Sequence, residues 1–211
     1  MFATFDTPEW FVQLPVGMSP EETYAFAAER VRAFAGGDVE RERAFLTEVR
    51  GCSLALERAG VVYAGAVMGY LEDELSLAVL TVAVQEFDYG PDARVAAEGT
   101  LQSLVASRGP LWSGNVYPLP CDRPAAVVTG PRVFRLRDME PSDVPFAELQ
   151  AHVPVPEGTS AERRMLTVTF STPVAKHWER YMPLLVQLLR SLTFSETENS
   201  AAAQASLTAF G

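Results

Sequence analysis

The sequence predicts an α+β fold, in which a largely antiparallel sheet carries helices packed on its faces. The strongest evidence is the stretch 165–194, where an alternating strand precedes an amphipathic helix. Leu166, Val168 and Phe170 alternate with polar residues, which is the period of a strand with one buried face. The helix carries an apolar stripe at three- and four-residue spacing, which predicts that it lies on a sheet. The stripe consists of Trp178, Tyr181, Leu184, Leu185, Leu188 and Leu192.

The order of the elements is the second observation. A predicted strand over residues 10–16 is followed by two helices, a hairpin, a third helix, several short strands and the final helix. This order lacks the regular alternation of a doubly wound parallel sheet. The first helix begins at Ser19-Pro20-Glu21-Glu22, with a hydroxyl cap, a proline at the first helical position and a glutamate three residues after the cap. Asp38 caps the second helix, which runs toward Gly60.

The middle of the chain predicts the centre of the sheet. Two apolar runs, residues 61–71 and 75–87, flank an acidic turn and predict a hairpin of central strands buried on both faces. A third helix is predicted from Pro91 to Ser107. Beyond it, proline and glycine separate up to five short extended segments, so the second half is predicted to be mostly sheet. Pro183 predicts either a kink in the last helix or a helix that begins near Met182.

Length and composition predict one domain followed by a tail. The chain has 211 residues, of which 48% are hydrophobic, and this is enough for one well-filled core. We therefore expect residues 1–194 to form a single α+β domain. Residues 195–211 are rich in alanine and serine and have no core-forming period, which predicts a C-terminal tail.

The charge of the chain limits its partners. A net charge of -10 argues against nucleic acid, because binding to phosphates depends on lysine and arginine. Most of the negative charge lies in the first 110 residues, so an acidic partner is expected to approach the second half.

No apolar run is long enough to span a membrane, and the acidic first residues do not resemble a signal peptide. We predict a cytoplasmic protein with no membrane partner, in which Cys52 and Cys121 are reduced.

The sequence contains no recognisable catalytic motif. Its two histidines, His152 and His177, have no metal-ligand spacing with each other or with a cysteine. No phosphate loop, dinucleotide fingerprint or nucleophile elbow is present. A Cys121 nucleophile with either histidine as its base would require a fold that the sequence does not indicate. We therefore predict no catalytic residue, no metal site and no cofactor.

The candidate binding residues are the arginines Arg132, Arg135 and Arg137. In a strand, Arg135 and Arg137 would point to the same side, where two guanidinium groups can hold a carboxylate or a phosphate. The alternative interpretation is that these arginines pair with the chain's own plentiful acids. Trp112 and Tyr117 are candidates for an adjacent recognition surface, although aromatic side chains more often pack in a core or at its rim.

The two ends of the chain resemble the PsbP-like fold family. The resemblance rests on an early strand, Trp10-Phe11-Val12-Gln13-Leu14-Pro15, that leads into a helix, and on a late strand, LTVTFSTP, whose helix closes on Ser191-Leu192-Thr193-Phe194. It implies an antiparallel sheet between helix layers in a non-enzymatic protein that works by binding. The chain departs from the family in its second helix and central hairpin, and no binding residue of the family can be carried over.

Two functions follow from these observations. The first is a non-catalytic binding protein that acts through a protein partner or as a homo-oligomer, which agrees with the missing catalytic set and with the resemblance. The alternative is a small-molecule-binding protein or an unrecognised enzyme, with its pocket between the sheet and a helix layer. Gly65 and Gly69, which permit close approach of a helix, and the aromatic segment 111–117 favour this alternative.

Overall fold

The computed structural model describes residues 2–35, 38–135, 142–156 and 163–195. Its helices are α1 (Pro20–Ala35), α2 (Val39–Arg58), α3 (Ala93–Arg108) and α4 (Trp178–Ser191), the last preceded by a 3₁₀ turn at Ala175–His177. Its strands are β1 (Phe2–Thr4), β2 (Val12–Gln13), β3 (Val61–Leu71), β4 (Glu74–Glu86), β5 (Ser113–Pro118), β6 (Pro124–Arg135), β7 (Asp143–Pro154), β8 (Arg164–Thr172) and β9 (Thr193–Ser195).

A seven-stranded antiparallel sheet forms the centre of the fold, with the strand order β2-β3-β4-β8-β7-β6-β5. The predicted α+β class with a largely antiparallel sheet is therefore confirmed. Strands β1 and β9 pair in a separate two-stranded ladder, which joins the two ends of the described chain. Residue 195 belongs to β9, and the rest of the predicted tail lies outside the described residues. No helix in the described ranges is long and apolar enough to cross a membrane.

One side of the sheet, which we call the core face, is covered by α4. Leu80, Leu166 and Phe170 on this face have no exposed surface. The predicted stripe of α4 packs against them, as the 5.0 Å between the ring centres of Phe170 and Tyr181 illustrates. The predicted core positions Phe170 and Leu185 are both buried. Helix α4 begins at Trp178 and not near Met182, and Pro183 lies within it.

The opposite side, which we call the second face, is covered only in part. Helix α2 contacts β3, and α3 contacts β5, β6 and β7. The prediction that the hairpin strands are buried on both faces is wrong for β4, because Val79 on the second face is 42% exposed. Thr81 and Ala83, on the same face of β4, are half-buried. An apolar run does not indicate which of its faces a helix will cover.

Turn geometry and proline fix the ends of several strands. Glu72 and Asp73 both have positive φ, at 52° and 65°, as a two-residue hairpin turn with the twist of the flanking strands requires. Prolines lie at the end of β5, the start of β6 and the end of β7, where a missing N–H is tolerated. Of the extended segments predicted in the second half, the two on either side of Gly130 form one strand, since β6 continues through this glycine and pairs with β7 from Ala126 to Arg135.

Candidate binding site on the second face

A buried glutamate organises the second face. Leu149, Ala151 and Val153 of β7 enter the core, so strand alternation places Glu148, Gln150 and His152 on the opposite side. Glu148 has no exposed surface. A charged group that leaves water is tolerated only when it is paired and hydrogen-bonded.

Four side chains donate hydrogen bonds to the Glu148 carboxylate. Its Oε1 accepts from Gln150 Nε2 at 2.7 Å and from Nη1 of both Arg108 and Arg132 at 3.4 Å. Its Oε2 accepts from Ser171 Oγ at 3.2 Å. Two guanidinium groups thus share one carboxylate, which leaves this cluster with an excess positive charge. We call Arg108, Arg132, Glu148, Gln150 and Ser171 the Glu148 cluster.

Arg108 is held in place from two sides. Its Nη2 donates to Gln150 Oε1 at 2.7 Å, and its guanidinium lies 4.2 Å from the centre of the Trp112 ring. The indole Nε1 donates to the Pro131 carbonyl at 3.0 Å. A Cβ at Gly130 would lie 2.5 Å from the same ring, so glycine makes this contact possible. Burial lowers the pKa of Arg108, and the nearby Glu148 carboxylate partly offsets that shift.

Arg132 forms the exposed edge of the cluster. Its side chain is 49% exposed, and its guanidinium lies 4.9 Å from the centre of the Phe134 ring. Phe134 in turn packs edge to face on Phe146, with ring centres 4.8 Å apart. Nη1 makes the bonds to Glu148, whereas Nε and Nη2 bond to no other described residue. Arg132 therefore presents unused donors to solvent beside two half-buried aromatic rings.

His152 extends the polar network along β7. Its Nε2 lies 3.1 Å from Gln150 Oε1, and its Nδ1 lies 3.1 Å from Thr167 Oγ1. Because the amide oxygen can only accept, Nε2 carries the proton and Nδ1 accepts from the threonine hydroxyl. Burial and the positive charge of Arg108 lower the pKa of His152 to about 4. The imidazole is therefore neutral near pH 7.

The lowered pKa of His152 predicts a pH dependence of stability. The ordinary pKa is 6.5, so the unfolded chain takes up this proton first as the pH falls. The contribution of the neutral His152 side chain to the free energy of unfolding is therefore complete above about pH 6.5. It is lost as the pH falls toward 4, by up to roughly 1.4 kcal/mol per pH unit. The free energy of unfolding, measured by urea denaturation at several pH values in this range, should fall less steeply with decreasing pH for His152→Gln than for the wild type. Parallel curves for the two proteins would contradict this assignment.

The structure brings together two of the five predicted site residues. Arg132 and Trp112 both belong to the surroundings of Glu148. Arg135 points to the opposite side of β6 and pairs with the exposed Asp143 at 3.0 Å, in line with the alternative interpretation. Tyr117 pairs with the core residue Ala125 and so faces the core side. Arg137 lies outside the described residues.

Sequence reasoning missed Arg108, Glu148 and Gln150, and it considered His152 only as a base for Cys121. A signal for three of them exists, since Glu148, Gln150 and His152 alternate with Leu149, Ala151 and Val153. Such a segment is typical of a strand with a polar face. Arg108 gives no comparable signal, because it occupies the last turn of α3, where a basic residue is common for local electrostatic reasons.

The hypothetical cysteine nucleophile gains no support from the geometry. Burial raises the pKa of the Cys121 thiol, which disfavours the reactive thiolate. Among the described residues, His152 bonds to Gln150 and Thr167, and His177 bonds to Ser76 at 2.8 Å. Ser76 itself is fully buried. Among the described residues, no group of three or more His, Cys, Asp or Glu side chains is arranged to hold a metal ion.

Comparisons with known proteins show a likeness in structure but none in sequence. No family model and no curated protein matches the sequence. The chain is similar to the crystal structure of LpqN, a protein involved in cell envelope biogenesis of Mycobacterium tuberculosis. The two share 11% identity at a TM-score of 0.48, and the match covers 90% of this chain and 82% of LpqN. A likeness at this level carries no argument about function.

Proposed function

We propose that the protein is a non-catalytic binding protein that recognises an acidic segment of a protein partner through Arg132. The observation that supports this most is the composition of the Glu148 cluster, in which two guanidinium groups share one carboxylate. The buried Glu148 neutralises the charge of the half-buried Arg108, so the charge of Arg132 is left to face solvent.

The chemistry of Arg132 fits a carboxylate of the partner. A guanidinium offers five N–H donors in a planar fork, and two of its edges can hold a carboxylate by paired hydrogen bonds. Glu148 engages only Nη1, which leaves Nε and Nη2 on one edge for an incoming group. Because Glu148 and the Phe134 ring fix the guanidinium, less side-chain entropy is lost on binding than for a free surface arginine.

The surroundings of Arg132 provide further contact surface. The half-buried rings of Phe134 and Phe146 lie beside it, and arginine with aromatic residues is a frequent composition at the centre of protein interfaces. On the same face, β8 adds the half-buried Thr169, whereas the Thr167 hydroxyl is already engaged by His152. An acidic segment with one or two apolar side chains would complement this surface in both charge and polarity.

The same contacts disfavour catalysis at this site. The Glu148 carboxylate is buried and accepts from four side chains, so it is not placed to take a proton from a substrate. Both ring nitrogens of His152 are also engaged by side chains. General acid–base chemistry requires a group within reach of the reacting proton, and neither residue offers that.

The proposal also covers the fold family of the protein, its location and its kind of partner. We infer a PsbP-like protein, an inference that the sheet between helix layers and the strand–helix units near both ends support. We further propose a cytoplasmic location. We also propose that neither nucleic acid nor a membrane is a partner, since a net charge of -10 disfavours binding to the phosphates of both. The partner is either a different protein or a second copy of this chain.

Binding of a labelled acidic peptide tests the role of Arg132. The probe is a capped peptide of glutamates flanking one phenylalanine, with fluorescence anisotropy as the readout. Arg132→Gln should weaken binding about tenfold, because a hydrogen bond to a charged group is lost. Arg135→Gln is the matched control, since this arginine lies on the same strand, points to the other side and is occupied by Asp143.

Three results would contradict the proposal. The first is equal weakening by both substitutions, which would indicate nonspecific attraction between charges. The second is equally tight binding of a peptide in which glutamine replaces every glutamate. The third is no binding of the acidic peptide to the wild type at low salt.

Sedimentation velocity of the wild type and of Arg132→Gln then determines whether a second copy is the partner, since only in that case does the substitution shift a dimer toward monomer.

A further inference from the structure

A second concave site lies on the core side of the sheet, at β3, whereas Arg132 lies on β6, four strands away. The segment 6–13, the strand β3 and helix α4 enclose a cleft of about 740 Å³. This volume is in the range of sites that bind small molecules. The cleft lies between the sheet and a helix, which is the position predicted for a pocket under the alternative function.

The walls of the cleft are fixed by the surrounding fold. Phe5, just before the segment, and Phe11, within it, are buried, and the Phe11 N–H donates to the Pro8 carbonyl at 3.0 Å. The Asp6 N–H donates to Ser191 Oγ at the end of α4, at 2.8 Å. The Trp10 ring rests edge to face against Tyr181 of the same helix. The shape of the cleft is therefore set before any ligand enters.

Tyr63 contributes a hydroxyl group that has no hydrogen-bond partner among the described residues. The residue is 2% exposed and lines the cleft. Burial raises the pKa of Tyr63, so the phenol stays protonated at neutral pH. The nearby Thr7 side chain offsets part of this rise in the pKa of Tyr63, but the two side chains do not form a hydrogen bond. An unsatisfied buried hydroxyl is uncommon in native proteins and calls for an explanation.

The remaining lining residues define the charge of a suitable ligand. Asp6 and Glu9 supply two exposed carboxylates, and the described residues that line the cleft include no lysine, arginine or histidine. Trp10 is 45% exposed, and an exposed indole offers a surface on which another aromatic ring can pack. Leu184 of α4 adds an apolar surface. The combination suits a ligand with a positive charge at one end and an apolar ring at the other.

We propose that this cleft binds arylalkylammonium ions. The ammonium group lies between the carboxylates of Asp6 and Glu9, and the aromatic ring packs on Trp10 and Leu184. The Tyr63 hydroxyl gains its missing hydrogen bond from the bound ligand or from a water that the ligand orders. This proposal is independent of the partner proposed for Arg132, because Tyr63 faces the core side of the sheet and Arg132 the second face.

Calorimetric titration with phenethylamine tests the proposal, with phenethyl alcohol as a neutral probe of the same shape. The amine should bind to the full chain, and the alcohol should bind at least about tenfold more weakly, because it lacks the charge. Glu9→Gln should weaken binding of the amine about tenfold. Glu86→Gln is the control, since this exposed acid does not line the cleft and should leave the affinity unchanged.

Tyr63→Phe separates a binding role of the hydroxyl from a structural one. Removing a buried hydroxyl that has no partner should leave the melting temperature of the free protein unchanged or slightly raised, whereas the affinity for phenethylamine should fall severalfold. The proposal is overturned if phenethylamine does not bind, or if it binds no better than the alcohol. It is also overturned if Tyr63→Phe lowers the melting temperature and leaves the affinity as it was.

Discussion

Glu148→Gln is expected to lower the free energy of unfolding by roughly 3 kcal/mol, even though the two side chains have nearly the same shape. The carboxylate has no exposed surface and is the shared partner of Arg108 and Arg132. Without its charge, two guanidinium groups remain close together with nothing to balance them. Chemical denaturation with urea at neutral pH measures the loss.

Two further variants make this expectation specific. Asp143→Asn removes an exposed carboxylate on the same strand, whose partner Arg135 is also exposed, and should cost less than about 1 kcal/mol. Adding Arg132→Gln to Glu148→Gln should recover part of the stability, because it removes one of the two unbalanced charges. A loss below about 1 kcal/mol for Glu148→Gln itself would mean that water solvates the arginines and that the cluster is not a buried ionic network.

Phe170→Ala is expected to destabilise the protein by about 3 to 5 kcal/mol, through lost burial and the cavity that remains. Phe170 is fully buried at the centre of the core face. Its ring centre lies 5.0 Å from that of Tyr181, 5.8 Å from Trp178 and 6.4 Å from Phe11. These three rings belong to α4 and to the N-terminal segment, so the cavity cannot close without moving both.

Val79→Ala is the matched control for this substitution. Val79 lies on the neighbouring strand β4, points to the second face and is 42% exposed. Its truncation should cost less than about 1 kcal/mol, because little burial is lost. Similar losses for the two variants in urea denaturation would contradict the assignment of one packed and one open face to the sheet.

The parts of the fold that could be predicted are those where local pattern and burial coincide. Strand β8 and helix α4 show clear periods, and each period corresponds to one buried face. The error at β4 has a physical cause. Its alternate residues Leu77, Val79 and Ala83 are apolar but lie on the second face, and hydrophobicity alone does not distinguish a covered face from an open one.

The candidate site was predictable only in fragments, because its contacts are not local. Glu148 lies 16 residues from Arg132 and 40 from Arg108 in the chain. The pairing of Gly130 with Glu148 across β6 and β7 brings Arg132 to Glu148, and the packing of α3 on these strands brings Arg108. A shift of that register by one residue would move Glu148 into the core. A motif search detects Arg132 as part of an arginine run, but the run does not reveal which arginine meets a buried acid.

The most direct test of the central claim is a titration of the isotope-labelled protein with the acidic peptide, followed by backbone amide and arginine side-chain NMR signals. The proposal predicts shifts concentrated at the Arg132 Nε–H and along residues 130–134 and 146–148. It also predicts that these shifts disappear in Arg132→Gln and persist in Arg135→Gln. Shifts confined to α1 and α2, or a pattern that survives the loss of Arg132, would show that the second face is not where this protein binds an acidic partner.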